Sequence, residues 1–304
     1  MSPISLILFL LPSFYLSHSL PVCRDSCADI RIDYPFGIDD GCGAPLYRNM
    51  LNCSATFAPL FTPPSSSISN SNSSTPMLTP TIATPSTTPT ATASALFYQT
   101  PSGGYKVESI DYASRTLTIY DPSMSTCTVL QPHHDFLMSD LQSAIIPPSP
   151  DTVFALINCS IDSPVLNHYK SLCFNFSADH SCDELYDSCT SFKIFGMLSN
   201  DTPPACCFTS YNTLKFMSMN ILDCTHYTSF FDVDKLIKED EKPLDWSYGI
   251  KLSYTLPDTG CDRCRKSGGT CGFDVETEGM VCICSPTINS TRQCGNIINQ
   301  PLSP

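Results

Sequence analysis

Eighteen cysteines stand in this 304-residue chain, and all of them follow an apolar N-terminal stretch, Ile4 to Leu16. Cysteine has three chemistries open to it, as nucleophile, metal ligand or cross-link, and the redox compartment decides among them. The densest group is Cys261, Cys264, Cys271, Cys282, Cys284 and Cys294, whose Cys261-x-x-Cys264 and Cys282-x-Cys284 pairs mimic zinc ligands. Behind an export signal the same spacings read as disulfides, because an oxidising lumen removes free thiolates. The others are Cys23, Cys27, Cys42, Cys53, Cys127, Cys159, Cys173, Cys182, Cys189, Cys206, Cys207 and Cys224, and the even total permits complete pairing. Spacing alone does not assign partners, but the vicinal Cys206 and Cys207 are expected to bond two different cysteines rather than each other.

Residues 1–19 read as a signal peptide, with Ile4 to Leu16 as its apolar core and Ser17-His18-Ser19 before the cleavage point. The run is short for a bilayer span and is interrupted by Pro12, so membrane attachment is expected only if the segment stays uncleaved. A secreted, extracellular chain follows. Six Asn-x-Ser/Thr sequons, at Asn52, Asn72, Asn158, Asn175, Asn200 and Asn289, fit that compartment and place those segments at the surface.

The formal charge of −13 makes nucleic acid an unsuitable partner. It is uneven: residues 20–130 carry 5 basic and 8 acidic side chains, against 11 and 21 in residues 131–304. No GxSxG elbow or HExxH helix is present, and neither His133-His134 nor the acidic Asp232–Asp245 stretch has a spacing that commits to a reaction. The expectation is a protein that is not an enzyme, although two glycosidase carboxylates cannot be picked out among 29 acidic residues by sequence.

The elements that must carry these residues are mostly strands. Tyr105 to Tyr112 and Arg115 to Asp121 alternate apolar and polar residues around a bend at Ala113-Ser114, which predicts a hairpin. Val153 to Cys159 has the length and unbroken apolarity of a buried strand, and Tyr248 to Leu256 alternates again. Helices are expected over His134–Ala144 and Asp232–Glu241, the second capped by Asp232 or Asp234. A Ser/Thr/Pro tract over 59–94 has too few large side chains to offset its ordering entropy and should be extended. It reads as a tolerated surface-loop insertion ahead of an O-glycosylated stalk. The fold class is therefore mainly β and disulfide-rich, as two small β-rich domains with few short helices. Cysteine parity places the boundary near Pro164, giving 20–163 and 164–304, since six cysteines lie before it and twelve after.

The segment CRDSCADIRIDYPFGIDDGCGAPLYRNMLNC, Cys23 to Cys53, resembles the start of the galacturonan-binding domain of plant wall-associated receptor kinases and their leaf-rust-resistance-type relatives. The likeness rests on Cys27, Ile32, Tyr34-Pro35-Phe36-Gly37-Ile38, Gly41-Cys42-Gly43, Pro45 and Cys53, and continues through the Tyr105–Asp121 strand pair to Cys127 and Cys159. The stretch GCDRCRKSGGTCGFDVETEGMVCIC, Gly260 to Cys284, is similar to the C-terminal cysteine-rich module of the same kinases, and residues 261–294 have EGF-like spacing. The receptor members continue into a membrane span and a kinase domain; no kinase signature occurs here, so signalling within the chain is not expected.

What the resemblance implies is non-catalytic binding of pectic homogalacturonan or oligogalacturonides in the cell wall, with membrane-bound receptor kinases as candidate partners. The alternative is a structural wall glycoprotein or a secreted inhibitor or decoy for a protein partner. Galacturonan presents a row of carboxylates, which guanidinium groups grip in pairs. The candidate contacts are Arg24, Arg31, Arg48, Lys106 and Arg115, with Tyr34 and Phe36 as a stacking platform for sugar rings or else as core. No cofactor or metal is expected, except that Ca²⁺ bridging protein and pectin carboxylates, with Asp39-Asp40 as contributors, would suit a domain with excess acid.

Overall fold

Alternating sequence becomes sheet in a computed structural model that describes residues 23–55, 94–132, 134–160, 162–177, 180–197, 203–215, 223–257 and 260–295. The stretch read as a signal peptide, nearly all of the 59–94 tract, and Asn72, His133 and Asn200 lie outside the described residues. In chain order the strands are β1 (Ser26–Cys27), β2 (Ile30–Arg31), β3 (Leu51–Ala55), β4 (Ser94–Thr100), β5 (Gly103–Asp111), β6 (Thr116–Tyr120) and β7 (Val153–Cys159). They continue as β8 (Ala205–Thr209), β9 (Cys224–Phe231), β10 (Ser247–Tyr248), β11 (Ile250–Ser253), β12 (Thr270–Phe273), β13 (Met280–Ser285) and β14 (Ile288–Ser290). The helices are short, the longest among the described residues being Val233–Glu239. The mainly β, disulfide-rich class is what the sequence predicts.

Two compact units form, and they are not divided near Pro164. The larger holds Ser26–Arg31 and Leu51–Thr255; the smaller joins Ile32–Met50 to the residues from Leu256 onward, with those up to Asp25. Parity misleads because two bonds, Cys127–Cys189 and Cys159–Cys224, cross the expected boundary. So does a sheet, since β7 pairs with both β8 and β9.

In the larger unit, one antiparallel sheet runs β11-β6-β5-β4-β3 and another β10-β9-β7-β8. The expected β5–β6 hairpin is present, and its bend is held by the Asp111 carboxylate, which accepts from the backbone N–H groups of Ala113 and Ser114. Leu117 and Ile119 turn one face of β6 inward, leaving Thr116, Thr118 and Tyr120 half-buried on the other. β7 lies between two neighbours and is buried almost throughout, which explains its unbroken apolar run. Val153, Ala155 and Ile157 join a core with Phe208, Phe230 and Trp246. Phe154 instead meets Phe136 and Tyr211, and Phe136 meets Tyr105 edge-on with ring centroids 5.2 Å apart, so aromatic packing ties this strand to β5.

Three expectations shift in detail. Helix begins only at Asp140, because Ser139 and Gln142 form a reciprocal capping box there while Phe136 is already committed to the core. The predicted strand over Tyr248–Leu256 is cut at Gly249, whose φ of +144° lets the chain leave the four-stranded sheet as β10 and enter the five-stranded sheet as β11. Asp232 occupies the N-cap position of its helix but makes no side-chain cap bond there.

In the smaller unit β12, β13 and β14 form a three-stranded sheet, and one core cluster is largely sulfur: Cys261, Cys264, Cys271 and Cys282 are buried together, with Tyr34 and Met280 packed on them, while Ile32, Phe36, Tyr47 and Phe273 are buried in the same unit. The Gly41-Cys42-Gly43 turn docks on β12, where the Gly43 N–H donates to the Cys271 carbonyl at 3.0 Å and the Phe273 N–H to Gly41 at 2.8 Å. A side chain at Gly43 is impossible without rearrangement, because its φ is +78° and a Cβ would lie 2.6 Å from the Phe36 carbonyl. The motif that resembles a galacturonan-binding domain thus folds onto the motif that resembles the cysteine-rich module. Among the described residues, no helix is long and apolar enough to cross a membrane.

Candidate functional site

The seven residues singled out for ligand contact are split between the units, with Arg24, Tyr34, Phe36 and Arg48 in the smaller one and Arg31, Lys106 and Arg115 in the larger. Phe36 is 3 % exposed and meets Tyr47 edge-on, so it is core and no face of it is open to a sugar ring. Tyr34 rests on the disulfide cluster, and its hydroxyl donates to the Pro257 carbonyl at 3.4 Å. Arg24 pairs with Asp39 at 2.7 Å and Arg48 with Asp40 at 2.8 Å, the latter guanidinium also lying over the Phe273 ring. Burial works to raise the Asp39 carboxyl, but the hydrogen bonds from Arg24 prevail and hold it below its ordinary value. The Asp39-Asp40 pair is therefore neutralised by arginines and makes a poor calcium site.

In the larger unit, Lys106 is paired with Glu108 at 2.9 Å. Arg115 is exposed at the β5–β6 bend, with φ +59°, and its carbonyl accepts from the Tyr254 N–H. Arg31 ends β2, and its carbonyl accepts from the Tyr112 hydroxyl at 3.1 Å.

What the larger unit does build is an open groove of about 620 Å³ where the chain changes sheets. Its floor is the outward face of β5 and β6, with Glu108, Asp111, Thr116, Thr118 and Tyr120. Its far side is Phe231 and Asp232 at the end of β9, Tyr248 of β10 and Lys251 of β11. Register explains the convergence, because Lys251 lies opposite Thr118 and Tyr248 opposite Phe230. Gly249 completes it: a Cβ there would lie 3.0 Å from the Ile119 carbonyl and 3.2 Å from the Phe231 ring.

Lys251 is the electrostatic centre. Its ammonium lies 2.5 Å from Asp232, 3.3 Å from Asp151 and 5.7 Å from the Phe231 ring centroid. Burial opposes its charge, yet the two carboxylates outweigh burial and raise its pKa. This is where the missing helix-cap bond goes: the Asp232 side chain turns to Lys251. Asp111 is held below its ordinary value by the hydrogen bonds of Ser114 and Ala113, the opposite of what a general acid requires. The Tyr248 hydroxyl donates to the Pro243 carbonyl at 2.7 Å and leaves only its ring to the groove. Carboxylate acceptors, threonine hydroxyls and half-buried rings together suit a polyhydroxylated ligand.

Sequence reasoning did not find this groove. The alternation Thr116-Leu117-Thr118-Ile119-Tyr120 shows which side of β6 is open, but Phe231 and Lys251 reach it from more than a hundred residues away through sheet pairing.

Every cysteine is disulfide-bonded. Cys206 and Cys207 take different partners, Cys182 and Cys173. Cys23 pairs with Cys42 and Cys27 with Cys53. In the EGF-like stretch the pairs are Cys261–Cys271, Cys264–Cys282 and Cys284–Cys294. Cys282, Cys284 and Cys294 come close enough to mimic a metal site, but Cys284 and Cys294 are bonded to each other and Cys282 to Cys264. Among the sequons, Asn52, Asn175 and Asn289 are exposed, whereas the half-buried Asn158 donates its amide to the Thr225 hydroxyl at 2.6 Å.

The fold and its pairing define a disulfide-rich β protein with no free thiol among the described residues. Residues 237–287 match the family model described as wall-associated receptor kinase C-terminal, which supports a wall-associated-kinase-like family and with it an extracellular or wall-associated protein. That family is not a catalytic one over the matched region. No curated protein and no solved structure matches the chain significantly.

Proposed function

We propose that this chain is a secreted, glycosylated binder of pectic galacturonan in the cell wall, acting without catalysis. One observation carries the reading: the Tyr34–Gly43 segment, which resembles a galacturonan-binding domain, is hydrogen-bonded to β12 inside the region that matches the wall-associated receptor kinase C-terminal model. Two segments more than two hundred residues apart thus form one unit, as expected if they belong to one ancestral architecture rather than matching by chance. In that unit Arg24, Arg48 and Arg265 pair with Asp39, Asp40 and Asp33, and the cysteines cross-link.

The test is retention of the disulfide-intact, glycosylated chain on immobilised pectin against neutral wall glycans, with elution by soluble oligogalacturonides. Retention on pectin, unaffected by a calcium chelator and without new reducing ends, is the expected result. Equal passage through both matrices would favour the structural or decoy glycoprotein, and new reducing ends would favour an enzyme.

A further inference from the structure

We propose that the hollow between Cys23 and the β12–β13 hairpin of the smaller unit is where the chain grips a galacturonan carboxylate, with Lys266 and Arg292 as the cations that hold it. The proposal rests on the galacturonan-binding reading above. Its first support is the origin of the walls. Cys23, on one side, opens the segment that resembles a galacturonan-binding domain, and the other lining residues, from Gly268 to Pro286, all lie inside the matched region 237–287. The Cys23–Cys42 bond and the docking of Gly43 on Cys271 hold these two parts together. Neither segment builds the hollow alone.

Charge supports it next. No carboxylate lines the hollow. Lys266 ends the short helix Cys261–Lys266, two residues before Gly268 in the wall. Arg292 lies two residues before Cys294, whose N–H donates to the Ser267 hydroxyl at 2.8 Å and whose sulfur is bonded to Cys284, also in the wall. Both side chains are exposed and form no ion pair among the described residues. The other nearby arginines are engaged or turned away: Arg24 pairs with Asp39 and Arg265 with Asp33, while a Cβ on Gly260, at the helix start, would lie 3.5 Å from the Arg263 guanidinium. The acids nearest in the chain are Asp25, two residues beyond Cys23, and Asp262, a full helical turn before Lys266; both are exposed and outside the lining. Asp274, Glu276 and Glu278 occupy the turn beyond the Phe273–Met280 pair, whereas the hollow lies at the Thr270–Ile283 pair, roughly 10 Å away along β12. A carboxylate in the hollow therefore meets two cations whose charge-assisted hydrogen bonds no protein acid already takes. The volume, about 150 Å³, is below the lower end of about 300 Å³ for whole small-ligand sites, and so suits a single uronate rather than a length of chain. Thr270 and Ser285 offer hydroxyls to it, and Ile283 and Pro286 offer apolar surface. Asn289 is the register partner of Ile283, so sugar carried there stands beside the hollow.

Calorimetry of the intact, disulfide-bonded chain with free-acid oligogalacturonides at low salt tests the site. Lys266→Gln and Arg292→Gln should each weaken binding about tenfold, whereas Lys266→Arg should retain it. Lys238→Gln, which removes an equally exposed charge from the larger unit, should leave the affinity unchanged. Asn289→Gln, which carries no sugar beside the hollow, should bind at least as tightly as the glycosylated chain. All four positions are exposed, so circular dichroism should find every variant folded. Undiminished binding in both Lys266→Gln and Arg292→Gln, or an equal loss in Lys238→Gln, overturns the hollow as the site while leaving galacturonan binding intact. Weaker binding of Asn289→Gln would place the contact on the glycan and overturn it too. No binding by the unsubstituted chain overturns the underlying reading as well.

Discussion

At the residue scale the clearest arrangement is Lys251 between Asp151 and Asp232. Burial works to raise the Asp151 carboxyl, but the Ser149 hydroxyl and Lys251 overcome it and hold it below 3.8. A depressed carboxylate stabilises the fold fully above its ordinary value, and that contribution is lost as pH falls through the lowered folded value. The raised Lys251 acts with the opposite sign, contributing below its ordinary 10.5 and losing effect only as pH climbs past its folded value. Both groups are partly exposed, so Asp151→Asn should cost at most ~1 kcal/mol near neutral pH and almost nothing well below the carboxylate range. Thermal melts at both pH values check this, and an equal loss at both would contradict the ionic origin. Glycan occupancy belongs to this scale too: peptide mapping after enzymatic deglycosylation should find sugar at Asn52, Asn175 and Asn289 and none at Asn158, whose amide is committed to Thr225. Residue roles were the least legible in sequence. An arginine reads the same whether it waits for a ligand or, like Arg24 and Arg48, is paired with a carboxylate brought near by the fold.

Elements were more legible, because periodicity is local. The β5–β6 hairpin and the buried β7 follow directly from alternation and from an unbroken apolar run. The split between β10 and β11 does not, since it depends on which sheet each half of the alternating stretch finds. Gly249 marks the split, and Gly249→Ala should destabilise the chain by about 1–3 kcal/mol in urea unfolding, because its φ is +144° and its neighbours leave little room. The Ser/Thr/Pro tract connects Ala55 to Ser94, which are register partners across β3 and β4. That placement is what an insertion in a hairpin connection requires. Replacing residues 56–93 by a short glycine-containing turn should leave the fold intact and, from closure entropy alone, stabilise it by ~1–2 kcal/mol. Loss of β-sheet signal in circular dichroism would show that the tract is structurally required.

At the scale of the whole molecule, the two units are held by different forces. The larger has an aromatic core around Phe208, Phe230 and Trp246, whereas in the smaller four cysteines are buried together in one cluster. A small unit carrying four disulfides depends on its cross-links. The double substitution Cys264→Ser and Cys282→Ser should therefore unfold the smaller unit while the larger keeps its protected amides, which hydrogen exchange would resolve. This division was hidden in the sequence because parity counts cysteines without knowing partners, and Cys127–Cys189 and Cys159–Cys224 reach across the apparent boundary. The resemblance at the two chain ends, in contrast, was visible in the sequence, and the matched region at 237–287 agrees with its C-terminal half.

The most direct test of the account is equilibrium binding of the intact chain to pectic oligogalacturonides, with product length followed by mass spectrometry in the same vessel. Saturable binding with every oligomer recovered at its original length is the predicted outcome. Absence of binding to any esterification state, or shortening of the oligomers, would contradict it.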